Sequence, residues 1–86
     1  MRNSEFIKKY GIENFKSIID GVKENLVTLH YNKEIPKYKI NNRKKQVKFY
    51  SNGKFITFDI AEIFYMSNRE IISVIRKWER EVWLCY

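Results

Sequence analysis

The tripeptide Ser51-Asn52-Gly53 is the feature that most restricts how this chain of 86 residues folds. An Asn-Gly pair tolerates the positive φ angles of a tight hairpin turn. The segments on either side, residues 46–50 and 54–58, are rich in β-branched and aromatic residues, and their apolar side chains alternate. We therefore predict a β-hairpin over residues 46–58.

Helical periodicity precedes the hairpin. Residues 4–10 predict a short helical turn, which Gly11 ends. Residues 12–27 then predict an amphipathic helix, and residues 28–31 a short extended piece. The apolar face of the helix is built from side chains three and four positions apart, namely Phe15, Ile18, Ile19, Val22 and Leu26. Residues 32–45 contain Pro36 and a polar run, and they predict an irregular connection.

The period becomes helical again after the hairpin. Residues 59–64 predict a short helix with Asp59 near its start. Ser67 and Glu70 then have the spacing of a capping box, which marks the start of a second helix. Its apolar face consists of Ile71, Val74, Ile75, Trp78 and Val82. Residues 81–86 fit either a last helical turn or a terminal strand. The pattern as a whole predicts a single α+β domain over residues 1–86.

The positive charge is concentrated in the middle of the chain. Residues 31–58 contain eight basic residues and one acidic residue, so they account for the whole net charge of +7. Tyr31, Tyr38, Phe49 and Tyr50 lie among these cations, and cations interleaved with aromatic rings suit a polyanion. The alternative is a solvated, lysine-rich surface that reflects the composition of an AT-rich gene.

Composition excludes several other classes of protein. No apolar run approaches the roughly 18–20 residues that span a bilayer, so we expect no membrane partner and a cytoplasmic location. With one cysteine, Cys85, and one histidine, His30, we expect no disulfide, no metal site and no cofactor. The three glycines are isolated, which leaves no glycine-rich phosphate loop. The sequence favours a binding protein over an enzyme.

Residues 57–76 have the sequence TFDIAEIFYMSNREIISVIR, and they resemble the helix-turn-helix of prokaryotic and phage DNA-binding regulators. Ala61 provides the small residue where the two helices approach. Tyr65 departs from the pattern, since this position is usually glycine, and it implies a left-handed backbone or a slightly altered turn. Five apolar residues match the positions that fill the angle between the helices: Ile60, Phe64, Met66, Ile71 and Val74. The alternative is a helical corner that only packs the core.

The resemblance implies a helix-turn-helix over residues 59–82 in a winged-helix-like domain, with the second helix in the major groove of DNA. Asn68 would pair with adenine, Arg69 or Arg76 with guanine, and Ile72 with a thymine methyl, although Ile72 fits a core or dimer position equally well. The implied base contacts are Ser67, Asn68, Arg69, Ile72, Ser73 and Arg76. The implied phosphate contacts are Arg43, Lys44, Lys45, Lys48, Lys54, Lys77 and Arg80, of which the last two are otherwise solvated cations.

The implied partner is double-stranded DNA, and the implied role is that of a small transcriptional regulator of a phage or mobile element. Such regulators commonly dimerise, and residues 78–86 are the predicted dimer region. Two alternatives stay open: a small phage-type inhibitor or adaptor that binds a host protein through the aromatic tail, and an RNA-binding module.

Overall fold

Two helices, a three-stranded antiparallel sheet and two further helices follow one another along the chain, which confirms the α+β class. The structure is a computed structural model and describes residues 1–84. Its elements are α1 (Asn3–Tyr10), α2 (Ile12–Tyr31), β1 (Tyr38–Asn41), β2 (Gln46–Ser51), β3 (Lys54–Asp59), α3 (Ile60–Phe64) and α4 (Asn68–Leu84).

The first two helices are separated by Gly11, whose φ of 89° is readily adopted by glycine. The predicted apolar face of α2 faces the core. The extended piece expected at residues 28–31 is wrong, because α2 continues as a helix to Tyr31. Leu29 extends the buried face three positions beyond Leu26, so burial favours further helix there.

The predicted hairpin is confirmed as β2 and β3, which pair antiparallel from Gln46↔Asp59 to Ser51↔Lys54. Asn52 and Gly53 form the turn with φ angles of 53° and 72°. Val47 and Phe49 on the inner face of β2 are completely buried. The alternating pattern therefore fixes which face of the sheet covers the core.

The irregular connection expected at residues 32–45 is wrong in part, because it contains the strand β1. This strand lies beside β2, with Tyr38 opposite Phe49 and Ile40 opposite Val47. Tyr38 and Ile40 pack against the core, whereas Lys39 and Asn41 are exposed. The many charges of this segment obscured a short strand that buries only two apolar side chains.

A turn of three residues joins α3 to α4. Glu62 accepts a hydrogen bond from the Asp59 N–H at 3.2 Å and forms a capping box at the start of α3. The predicted capping box of α4 is also present, since the Glu70 N–H donates to Ser67 Oγ at 3.2 Å. Tyr65 has a right-handed backbone with φ −84° and ψ −4°, so the altered turn is the one adopted.

The core between these helices differs from the expectation at two positions. Ala61 and Ile71 are completely buried, as the approach of the helices requires. Phe64 and Val74, which were expected to fill the angle, are 45% and 37% exposed. Phe64 instead lies beside Phe6 of α1, with ring centroids 6.2 Å apart. The aromatic side chains of α1 therefore draw Phe64 away from the angle.

The carboxyl end of α4 contacts the β2–β3 turn. Ser51 Oγ donates to Glu79 Oε2 at 3.2 Å, and Asn52 Nδ2 donates to the Val82 carbonyl at 3.3 Å. Residues 81–84 are helical, and the rest of the alternative terminal strand, Cys85 and Tyr86, lies outside the described residues. Across residues 1–84, no helix combines the length and the apolar character needed to cross a membrane.

Candidate nucleic-acid interface

The solvent-facing side of α4 carries a row of arginines. One side of this helix faces the core through its buried residues Ile71, Ile75 and Val82. The opposite side is exposed, and at helical spacing it presents Arg69, Ser73, Arg76 and Arg80. Arg69 and Arg80 are eleven residues apart, which places them about 16 Å apart along the helix axis. We call Arg69, Arg76 and Arg80 the α4 arginine row.

A groove of about 690 Å³ runs alongside this row. Leu29 at the end of α2 and Glu34 in the following loop form one wall. The other wall belongs to α4, and it contains seven of the residues that the sequence implied for DNA contact: Asn68, Arg69, Ile72, Ser73, Arg76, Lys77 and Arg80. The fold therefore brings most of the implied reading residues to one concave surface.

Within residues 1–84, no ion pair neutralises the positive charge of this groove. Glu34 is its one acidic residue, against four cations. Among residues 1–84 the only ion pair within 4.0 Å joins Lys16 and Glu13 on α2, far from this groove in the chain. The guanidinium groups of the α4 arginine row are thus free to bind phosphate or guanine.

Three of the implied base-contact residues have structural roles as well. Ser67 does not line the groove, and its hydroxyl caps α4. Asn68 Oδ1 accepts a hydrogen bond from Asn25 Nδ2 of α2 at 2.6 Å. Ile72 is half-buried and packs against the core, which agrees with the alternative that Ile72 is a core residue.

The implied phosphate contacts of the middle segment lie in three different places. Arg43, Lys44 and Lys45 form the β1–β2 turn, where the Lys45 carbonyl accepts the N–H of Ile60 at the start of α3. Lys48 faces outward on the sheet, because its neighbours Val47 and Phe49 face the core. Lys54 is the first residue of β3, next to the β2–β3 turn, which contacts the carboxyl end of α4.

Two of the four interleaved aromatic residues, Phe49 and Tyr38, face the core. Phe49 is completely buried, and Tyr38 packs on the inner face, where burial raises the pKa of its hydroxyl. The sequence reading missed Phe55, which is 59% exposed on the outer face. The inward alternation of Ile56 and Phe58 was the signal that could have revealed its orientation.

A second exposed aromatic surface lies where α1 and α2 meet the end of α3. Tyr10, Phe64 and Tyr65 surround a hollow of about 310 Å³. The hydrogen bond from Lys9 lowers the pKa of Tyr10, with a further contribution from the hydrogen bond of Tyr65. In the aromatic tail, Trp78 is half-buried, whereas Trp83 and Leu84 are exposed.

Comparison of the chain with protein-family models, with curated proteins and with solved structures finds no match. Within residues 1–84, no three side chains of His, Cys, Asp or Glu come together in an arrangement that could hold a metal ion. The side chains of α4 that line the groove offer three guanidinium groups, the Lys77 ammonium, the Asn68 amide, the Ser73 hydroxyl and the apolar surface of Ile72.

Proposed function

We propose that this protein binds double-stranded DNA and that α4 enters the major groove. In this proposal α3 and α4 form a helix-turn-helix, and the sheet stands beside them in a winged-helix-like arrangement. The three-residue turn, the completely buried Ala61 and the two capping boxes all suit such a helix pair.

The α4 arginine row is the observation that carries the proposal. Its three guanidinium groups extend over about 16 Å on the side of the helix that faces solvent. A major groove is about 12 Å wide and admits an α-helix, so cations along such a helix reach both base edges and flanking phosphates. Lys77, which also lines the groove, extends the same positive surface.

Sequence reading would come from the amino end of α4. Arg69 has the two-pronged donor that pairs with guanine. Asn68 would have to release Asn25 before it could offer both its carbonyl and its amino group to an adenine. We therefore expect Asn25→Ala to free Asn68 and to change affinity for a specific site without changing the affinity for random DNA.

The proposed role is that of a small transcriptional regulator of a phage or mobile element, acting as a homodimer through residues 78–86. Two copies would place two α4 helices on half-sites about one helical turn of DNA apart. Trp83 and Leu84 are the exposed apolar residues of this region, at 58% and 76%. An unchanged mass in solution after removal of residues 83–86, with the fold intact, would contradict this dimer.

Binding to a random duplex across a salt series tests the proposal. The variant Lys77→Ala/Arg80→Ala should weaken binding and flatten the slope of log K against log[salt] by about 1.8, since each of these implied phosphate contacts contributes about 0.9. Lys8→Ala/Lys16→Ala removes the same charge from exposed positions on α1 and α2, and it should leave the slope nearly unchanged.

Absence of duplex binding at low salt would overturn the proposal and favour the host-protein inhibitor instead. On a selected site, Arg69→Ala should cost about 1–3 kcal/mol in binding free energy if the residue reads a base. An equal effect on random and selected DNA would show that Arg69 touches only phosphate.

A further inference from the structure

The outer face of the sheet carries a set of side chains of which only Lys48 was implied as a contact with duplex DNA. Because Val47 and Phe49 face the core, the residues between and beside them face solvent. The strand register places Lys39 opposite Lys48 and Tyr50 opposite Phe55. Helices α2, α3 and α4 pack on the other face of this sheet, so the outer face is separate from the α4 groove.

Two lysines face each other directly on this surface. Lys39 and Lys48 are cross-strand partners, whose Cβ atoms lie about 5 Å apart at such positions. Like charges placed opposite each other destabilise a sheet, and neither lysine forms an ion pair within residues 1–84. An anionic ligand that bridges the two ammonium groups would relieve this repulsion.

Phe55 is an exposed aromatic residue that does not contribute to the buried core. Its ring is 59% exposed, and its centroid lies 4.4 Å from Lys48 Nζ and 6.4 Å from the ring of Tyr50. Lys48 Nζ lies over one face of this ring, so a base would stack on the opposite face while the ammonium offers the neighbouring phosphate a counter-charge.

Shallow hollows on either side of Lys48 complete the surface. One, of about 220 Å³, is lined in part by Lys39, Asn41 and Tyr50, and the other, of about 250 Å³, by Asn41, Gln46, Phe55 and Thr57. The amides and the hydroxyl supply donors and acceptors for base edges. Asp59, the nearest acid on this side of β3, is occupied by hydrogen bonds from Asn3 and Gln46.

The geometry points to a second binding site, in which the outer face of the sheet binds single-stranded nucleic acid. Phe55 and Tyr50 stack on unpaired bases, and Lys39 and Lys48 neutralise the phosphates between them. Single strands are favoured over duplex because only an unpaired base can leave its neighbours and stack on a side chain. This inference does not rest on the function proposed for α4.

Fluorescence anisotropy of a labelled oligothymidylate of about 12 nucleotides tests the site. Phe55→Ala should weaken binding about five- to 150-fold, which corresponds to the loss of one stacked base. Phe55→Leu should weaken it by a similar factor because leucine has no aromatic face, whereas Phe55→Tyr should retain affinity. The matched control is Tyr31→Ala, which removes another exposed aromatic ring, 84% exposed at the end of α2.

The lysine pair gives an independent readout. Lys39→Gln/Lys48→Gln should weaken oligothymidylate binding and flatten its salt slope by about 1.4, since each contact with a single strand contributes about 0.7. The same change should leave the urea midpoint unchanged or raise it, because it removes a like-charge pair. A lowered midpoint together with unchanged binding would overturn the inference.

The two proposed surfaces can fail separately. Phe55→Ala should leave duplex binding unchanged, and Arg69→Ala/Arg76→Ala should leave oligothymidylate binding nearly unchanged. Photo-crosslinking of the wild-type protein to an iodo-substituted oligonucleotide should map to Tyr50 or Phe55, which keeps the test valid even if a variant fails to fold. No binding at low salt, crosslinks confined to α4, or equal competition by polyglutamate would overturn it.

Discussion

Asn3 connects three parts of the fold through its side chain, and its replacement provides a sharp test of how the helix pair is held. Its Oδ1 accepts the N–H of Ala61 at 2.9 Å, and its Nδ2 donates to the Lys45 carbonyl at 2.7 Å. Ala61 is completely buried and lies in the first turn of α3, where backbone N–H groups have no partner within the helix. Asn3 thus caps a helix that begins 57 positions further along the chain.

Asn3→Ala should lower the free energy of unfolding by about 1–3 kcal/mol, the cost of leaving one buried donor without an acceptor. The Lys45 carbonyl adds little to this cost, because it keeps the hydrogen bond from the Ile60 N–H at 3.1 Å. The backbone N–H of residue 3 also keeps its hydrogen bond to Asp59 Oδ2, since the substitution does not change the backbone. For a domain of this size, we expect the melting temperature to fall by at least about 4 °C.

Urea unfolding followed by circular dichroism measures the effect, and the midpoint should fall by roughly 1–2 M. Asn3→Asp keeps the acceptor for Ala61 but turns a carboxylate oxygen toward the Lys45 carbonyl, so it should recover only part of the loss. Asn14→Ala is the matched control, because Asn14 is exposed and its amide bonds only to the Tyr10 carbonyl four residues away. A midpoint for Asn3→Ala within experimental error of the wild type would refute this account of the cap.

Three further predictions concern the Ser67 cap of α4, the basic β1–β2 turn and the half-buried hydroxyl of Tyr38. Ser67→Ala should lower stability by about 0.5–2 kcal/mol in thermal melts, because the Glu70 N–H loses its acceptor; an unchanged melt would show that water replaces the hydroxyl. Lys44→Ala/Lys45→Ala should weaken binding to all duplex sequences alike and flatten the salt slope by up to about 1.8, and a sequence-dependent effect would contradict a phosphate role. Burial raises the pKa of Tyr38, so its contribution to stability is complete below about pH 10 and is lost as the pH rises through the folded pKa. Tyr38→Phe should therefore lose less stability than the wild type between about pH 9.5 and 11, as read from urea midpoints, and identical pH profiles would contradict this.

Local chemistry explains the parts of the fold that the sequence predicted. The Asn52-Gly53 turn, the capping box at Ser67 and the apolar face of α2 each depend on residues a few positions apart. The strand β1 was missed because its charges obscured a short strand with only two apolar side chains, Tyr38 and Ile40, that pack on the core. Val74 and Phe64 were misplaced because helical spacing identifies an apolar face but not its exact centre.

The candidate binding surfaces likewise were predicted in part from the sequence and located in part only by the tertiary structure. The helix-turn-helix resemblance implied the cations of α4 as DNA contacts, and the structure added the opposing wall formed by Leu29 and Glu34. The sequence also grouped the lysines of residues 31–58 as one basic segment. The fold distributes them over the β1–β2 turn near α3, the outer face of the sheet and the start of β3 near the end of α4. The net charge of a segment follows from its composition, but the surfaces on which its charged side chains lie depend on the register of strand pairing.

The sequence by itself determined the α+β class, the hairpin, the two capped helices and the total charge, since each follows from composition or from short-range spacing. Only the tertiary structure decided that Asn3 caps α3, that Asn25 holds Asn68, and that Phe55 lies exposed beside Lys48. These contacts join residues that are distant in the chain or that meet across strands. Their existence depends on how the whole core packs, which no local pattern specifies.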